Sequence, residues 1–270
     1  MNILKNIIKS ILSDRLINKM TGIIYGWHGN YKSWAFAKSK CTGYEENQIL
    51  DTVLKNALKV KNREIPFERD SVPFDKIVYS FPVLAAFMWI ALQEKNKLNV
   101  LDFGGSLGTS YYQNLFFLNS LSEVNWCIVE QPHFVNAGNK SFADDNLHFF
   151  NSINDCLSKF AINVILLSGV IQYIEKPYDL LDEIISKDFE YIIIDRTLFI
   201  EKNKDRLTIQ TVPKKIYSAR YCCWFLSESR FLTVLKKKYE LIYDFTSDGN
   251  INIKSLYKGY LFRIKNKTNR

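Results

Sequence analysis

Apolar positions recur along this chain in two different periods. Over residues 2–20, Ile3, Leu4, Ile7, Ile8, Ile11 and Leu12 lead a helical stripe that continues through Leu16, Ile17 and Met20. Lys5, Lys9, Arg15 and Lys19 lie opposite it. Residues 45–62 repeat helical spacing through Ile49, Leu50, Val53, Leu54, Ala57 and Leu58. The apolar run Phe81 to Leu92 is shorter than the roughly 20 residues of a membrane span and predicts a buried helix. Ser71 to Phe74 reads as a turn, because Pro73 cannot continue a helix. From residue 99 the period changes. Strands are predicted at 99–103, 125–130, 147–151, 163–168 and 190–195, with helical segments between them, for instance 176–187 starting near Pro177. Such alternation predicts an α/β fold, a doubly wound and mostly parallel Rossmann-like sheet with helices on both faces. The end differs: 239–245 and 257–264 are two strands joined by Ser-Asp-Gly-Asn, a C-terminal antiparallel hairpin with no helix inside it.

This divides the chain into an N-terminal helical and aromatic cap, 1–80, and a main domain, 81–265. Within the cap, residues 26–44 concentrate Trp27, Tyr31, Trp34, Phe36 and Tyr44. They either cover a ligand or staple a packed loop. Residues 197–225 read as one long connection after the fifth strand. It carries Lys202, Lys204, Arg206, Lys214, Lys215 and Arg220 beside Tyr217, Tyr221 and Trp224. That mixture suits an anionic glycan or nucleotide-sugar, and equally a solvated lid.

Composition narrows the classes. The 270 residues are 47% hydrophobic, enough for one sizeable domain. A net charge of +8 points to an anionic partner. No long Lys/Arg run interleaved with aromatics occurs, so no nucleic acid is expected. Five cysteines show neither metal spacing nor a disulfide framework, and there are only three histidines. Reduced thiols, no metal and a cytoplasmic location are the simplest expectation. The stripe over 2–20 allows peripheral contact with an anionic membrane surface, or docking on its own domain or a second copy. The sequence does not specify an oligomeric state.

The candidate chemistry lies in Asn99-Val-Leu-Asp-Phe-Gly-Gly-Ser-Leu-Gly-Thr109. An apolar strand runs into Asp102, a turn follows with Gly104, Gly105 and Gly108, and a helix begins near Ser110. Glycines let backbone approach a nucleoside cofactor, and the helix N-terminus supplies free N–H groups. The next strand-like run ends in Glu130, about 20 residues past the last glycine, where a carboxylate can accept from both ribose hydroxyls. The other reading of Glu130 is a solvated strand end. An acid two residues before the first glycine would repel a pyrophosphate and suits a cofactor with a cationic end.

At these residues the chain resembles the class I S-adenosylmethionine (SAM)-dependent methyltransferases, whose first motif is (Asp/Glu)-x-Gly-x-Gly-x-Gly. Ser106 replaces the middle glycine. Those enzymes also close their sheet with a hairpin whose last strand is antiparallel, so the resemblance covers roughly residues 80–265. It implies SAM as cofactor, with Asp102, Gly104, Gly105, Gly108, Glu130 and Gln131 lining its site. It further implies adenine contacts from Asn151 and Ser152 at the third strand's end. Ser168, Gly169 and Gln172 follow the fourth strand, with Tyr173 near the transferring methyl. Asn151 and Ser152 also read as a polar strand exit, and Gln172 with Tyr173 as a capped helix start. A hydroxyl acceptor needs a base. His28, Glu175, Asp195 and Asp205 are candidates; His28, Tyr173 and Asp195 form the catalytic set. Asp195 and Arg196 either face the crevice, with Arg196 on a substrate phosphate, or pair internally.

A second likeness spans most of the chain. Gly29-Asn-Tyr-Lys-Ser-Trp-Ala-Phe-Ala37, Gly43-Tyr44, the glycine turn and Val129-Glu-Gln-Pro132 are similar to a methyltransferase family associated with bacterial surface-polysaccharide gene clusters. This implies a small-molecule or glycan acceptor: a sugar of such a polysaccharide, or its lipid-linked or nucleotide-linked precursor. A non-catalytic SAM-fold module in a glycan assembly complex is the alternative.

Overall fold

The computed structural model describes residues 25–41, 46–213, 219–247, 249 and 251–265. The stripe over 2–20 lies outside them, as do Gly43, Tyr44, Lys214, Lys215 and Tyr217.

The core is a doubly wound parallel sheet. Strand β4 (Lys97–Phe103) pairs with β5 (Glu123–Val129) on one side and β7 (Val164–Ser168) on the other, and β6 (Leu147–Phe150) extends it beyond β5. β8 (Tyr191–Ile200) lies beside β7, again parallel. β11 (Tyr239–Thr246) and β12 (Leu256–Ile264) form the expected antiparallel hairpin, and β12 runs antiparallel along β8. The chain winds one way from β4 through β6 and the other way from β7, so β4 and β7 flank the point where the order reverses. Ligands of open α/β sheets bind there, at the strands' carboxyl ends.

Helices cover both faces. α1 (Trp34–Lys38) and α2 (Glu46–Lys61) precede the sheet domain, and α3 (Phe81–Gln93) buries Val83, Leu84, Phe87 and Ile90 against it. Pro82 opens α3, where its missing N–H costs nothing. α4 (Thr109–Leu118), α5 (Pro132–Ser141), α6 (Ile153–Leu157), α7 (Pro177–Ser186) and α8 (Glu228–Lys236) complete the set. None of the described helices is long and apolar enough to cross a membrane.

Three segments differ from the periodicity reading. Residues 71–74 do not form a turn. β2 (Phe67–Arg69) and β3 (Val72–Phe74) make a short hairpin whose tip is Asp70-Ser71, both at positive φ, 51° and 65°. Two left-handed residues give the twist that a two-residue hairpin needs, and Pro73 is tolerated because the pair has only two strands. Second, the fifth parallel strand does not stop at 195. It continues to Ile200, and β9 (Arg206–Thr211) and β10 (Arg220–Ser227) follow it. Third, residues 26–31 are a strand, β1 (Gly26–Tyr31), paired with β9.

These last strands form an antiparallel wing, β1–β9–β10. It joins the sheet where β10 pairs Leu226 and Ser227 with Phe199 and Ile200 of β8. The wing therefore continues beyond the carboxyl end of β7. Trp27 and Trp34 serve as staples for it. Trp34 stacks on Trp224 with ring centroids 6.1 Å apart, and Trp27 meets Phe225 edge-on at 6.0 Å.

Candidate functional site

The glycine turn sits between β4 and α4. Gly104 and Gly108 have φ of 71° and 97°, open only to glycine without strain. Gly105 is required for a different reason. A Cβ there would lie 2.5 Å from Asp102 Cγ, so the turn closes directly onto that carboxylate. Ser106, between Gly105 and Gly108, has φ of 56°. The backbone thus keeps the glycine conformation with a side chain attached.

Asp102 is 1% exposed, and the indole N–H of Trp126 donates to its Oδ2 at 3.1 Å. Burial raises its pKa to about 7, partly offset by that hydrogen bond. Glu130 follows β5 and accepts the backbone N–H of Gln131 at 2.7 Å and also that of Ser106. Burial raises its pKa too. The second contact ties the end of β5 to the glycine turn. Gln131 occupies the N-cap position of α5 without a side-chain capping bond and is exposed.

A pocket of about 150 Å³ opens above the turn. Asp102, Gly104, Gly105 and Ser106 form its floor, and Ser168, Gly169 and Arg196 contribute the β7–β8 side. The third side was missed in the sequence: the β2–β3 hairpin, with Glu68, Asp70 and Ser71. Glu68 is 3% exposed, accepts the Thr109 hydroxyl and accepts the Ser71 N–H at 3.0 Å. Burial raises its pKa, despite those bonds. The first turn of α4 is adjacent, where the helix dipole favours negative charge. The Ser71 hydroxyl is buried with no hydrogen-bond partner. The signal for this hairpin was the pair Asp70-Ser71 between two short alternating runs, hidden by reading Pro73 as a breaker.

Arg196 is the one cation lining that pocket among the described residues. Its Nη1 lies 3.4 Å from Asp70 Oδ2, and its Nε donates to Ser168 Oγ at 3.3 Å and lies 3.9 Å from Asp195 Oδ2. Burial opposes its charge, but Asp70, Tyr257 and Asp195 more than offset this and raise its pKa. A Cβ on Gly169, φ 68°, would come 3.1 Å from Arg196 Nη2. Of the two readings of Asp195-Arg196, the internal ion pair is present. It also faces the crevice, since Arg196 separates the 150 Å³ pocket from a second one of about 250 Å³ under Phe67, Tyr79 and Ser247.

The other candidates divide. Asp195 accepts from Ser168 at 2.8 Å and from Ser247 at 3.2 Å, so both its oxygens are held. Gln172 is buried; its amide donates to the Arg196 carbonyl at 3.0 Å, and its Oε1 has no partner. Tyr173 lies beneath the wing, its hydroxyl on Gln210 at 2.8 Å and its ring edge-on to Tyr221. Asn151 is exposed at the end of β6, and Ser152 caps α6 by accepting the Asp155 N–H at 3.1 Å. His28 is on β1, opposite Ile209, and is not brought to the pocket. Asp205 is engaged by Tyr178, Ser227 and Arg230. Glu175 is exposed. Among the described residues no cluster of His, Cys, Asp and Glu could hold a metal ion.

No family model and no curated protein matches the chain in sequence. Its backbone is similar to solved structures. A SAM-dependent methyltransferase from Clostridium acetobutylicum ATCC 824 aligns at 10% identity and TM-score 0.46, over 70% of this chain and 93% of that one. One from Methanosarcina mazei gives 10% and 0.48, over 69% and 98%. A Burkholderia thailandensis 1,6-didemethyltoxoflavin-N1-methyltransferase, with bound 1,6-didemethyltoxoflavin and S-adenosylhomocysteine, gives 10% and 0.45 over 83% and 92%. These likenesses are distant and assign neither activity nor substrate. The doubly wound α/β architecture stands on the strand order itself.

Proposed function

We propose that this chain is a SAM-dependent methyltransferase acting on a sugar of a surface polysaccharide, or on its lipid-linked or nucleotide-linked precursor. The observation that carries the cofactor assignment is the charge layout of the 150 Å³ pocket. Asp102 from the floor, Glu68 from the hairpin and Arg196 from the β7–β8 side all line it. Two carboxylates and a guanidinium suit an amino-acid zwitterion, and the space is of amino-acid size. The residues fit on a second count, because the Ser71 hydroxyl is a buried polar group lacking a partner there.

In this reading Asp102 and Glu68 hold the ammonium and Arg196 holds the carboxylate, exchanging its present partner Asp70 for it. Glu130 takes the ribose hydroxyls, and Asn151 borders the base. Bound SAM supplies a methyl on a cationic sulfonium. The chain's own contribution is alignment of an acceptor beneath the wing and exclusion of water there. The polysaccharide setting rests on the likeness of the N-terminal aromatic motif. A cytoplasmic location, with residues 2–20 against an anionic membrane, belongs to the same proposal.

A second reading has a specific observation behind it. Asp195, Asp205 and Tyr173 have their polar atoms committed to neighbours, which favours a non-catalytic module that binds SAM within a glycan assembly complex. Titration with SAM, S-adenosylhomocysteine and 5′-methylthioadenosine tests both. The full proposal expects binding of all three, followed by methylation of a sugar acceptor. Binding without turnover on a panel of sugar acceptors selects the module, and no binding overturns both.

A further inference from the structure

A cleft of about 990 Å³ lies apart from the glycine turn. It lies at the far end of β8, where Ile200 and Glu201 form part of its wall. Glu201 lies five positions beyond Arg196, roughly 16 Å along an extended strand. The wing builds the cleft. Tyr31 of β1, Leu207 of β9 and Trp224 of β10 sit in register across its three strands, and Tyr31 and Trp224 line the space. Leu256 closes it from β12.

Its charge is one-sided. Lys32, Lys202, Lys204 and Lys254 border it from three separate loops. None of the four has a carboxylate partner among the described residues, and all four are exposed. Arg206 and Arg230 complete the rim. Arg206 is anchored on the Gly29 carbonyl at 2.8 and 2.9 Å, and Arg230 is neutralised by Asp205 at 2.5 Å. Glu201 is the only other carboxylate there. Like charges gathered in a concave wall repel each other unless an anion sits between them, and such a wall focuses the field on that anion. Trp224 adds a flat apolar face, held by its stack on Trp34 and its indole N–H on the Glu175 carbonyl at 3.3 Å.

We propose that this cleft binds a nucleoside diphosphate, with the diphosphate among Lys32, Lys202, Lys204 and Lys254 and the base against Trp224. A concave shape and an aromatic wall select this ligand over a membrane surface, which needs a convex or flat basic face. A volume near 1,000 Å³ fits a nucleotide and part of an attached group. As a plain nucleotide site the assignment stands without any activity. As the seat of an acceptor's carrier it rests on the methyltransferase reading and names the nucleotide-linked precursor as the acceptor class.

Calorimetry on the full chain at low salt, with UDP, ADP, inorganic pyrophosphate and anionic phosphatidylglycerol vesicles, tests it. UDP or ADP binds, and affinity falls steeply with added salt. Lys202→Glu with Lys204→Glu, or Lys254→Glu, weakens it at least tenfold while SAM titration is unchanged. Those lysines are exposed, so folding is not at stake. Trp224→Phe preserves the packing and Trp224→Leu removes the ring; only the second lowers UDP affinity, and neither alters pyrophosphate affinity. Pyrophosphate binding as tightly as both nucleotides would overturn the base contact. Binding of vesicles alone, or of none of the four, would overturn the site. Failure to bind SAM with UDP binding intact would instead count against the methyltransferase reading only.

Discussion

The indole N–H of Trp126 donates to Asp102 Oδ2 at 3.1 Å, joining two buried side chains on neighbouring parallel strands. One neutral hydrogen bond does not compensate a buried charge, and the Asp102 pKa therefore stands at about 7 against 3.8 for a free carboxyl. Glu130 and Arg196 act on it from the same crevice, the first raising and the second lowering it.

A pH signature follows. The folded pKa lies above the unfolded one, so protonation of Asp102 stabilises the fold. That contribution is complete below about pH 4 and is lost as pH rises through about 7. A bound ammonium works in the opposite direction and expels the proton. SAM affinity should therefore rise with pH, up to about tenfold per unit below 7, and flatten above it. Burial raises Glu68 and Glu130 as well, which steepens the acid side. Calorimetry in buffers of different ionisation enthalpy will read the released proton. Asp102→Asn should bind weakly with a flattened profile; an unchanged profile would remove Asp102 from the ammonium site.

Glu130→Ala and Arg196→Gln should separate the two ends of the cofactor. The first should lower affinity for SAM and 5′-methylthioadenosine alike by at least tenfold, about 1.4 kcal/mol. The second should lower SAM affinity comparably and leave 5′-methylthioadenosine, which lacks the amino-acid end, untouched. Equal losses for both ligands in the Arg196 variant would contradict the zwitterion assignment.

Gly105→Ala should abolish SAM binding, because its methyl would collide with Asp102 at 2.5 Å. Ser106→Gly tests the opposite case. Relief of a left-handed serine is worth about 1–2 kcal/mol, and the added freedom of the unfolded chain returns about 0.4–1. A net gain between zero and about 1.6 kcal/mol in denaturant unfolding is expected, with binding retained.

Tyr173→Phe distinguishes a structural hydroxyl from one that touches the acceptor. Its bond to Gln210 predicts a loss of about 1 kcal/mol in stability and a turnover within threefold of the parent. A hundredfold fall in turnover at unchanged stability would place the hydroxyl at the reacting atoms.

The parallel sheet was legible because Val100-Leu101 and Val164-Ile-Leu-Leu167 are buried on both faces and leave uninterrupted apolar runs. Asp102, the glycines and Glu130 were legible because spacing within one βαβ unit is local. The hairpin with Glu68 was not, since three-residue strands carry almost no periodicity. The wing was not either. β10 alternates poorly, because Cys222, Cys223, Phe225 and Leu226 are buried toward three different clusters, and β9 finds its partner β1 far back in the chain.

That last pairing sets an order of events during synthesis. Residues 26–31 leave the ribosome long before 206–211, the strand that supplies their hydrogen bonds. At about 5–20 residues per second the delay is on the order of 10–40 s. For that time Trp27 and Trp34 have none of their wing contacts, whereas the strands β4–β7 are complete before β9 emerges. The glycine turn and its flanking strands can thus assemble before β1 docks on the wing.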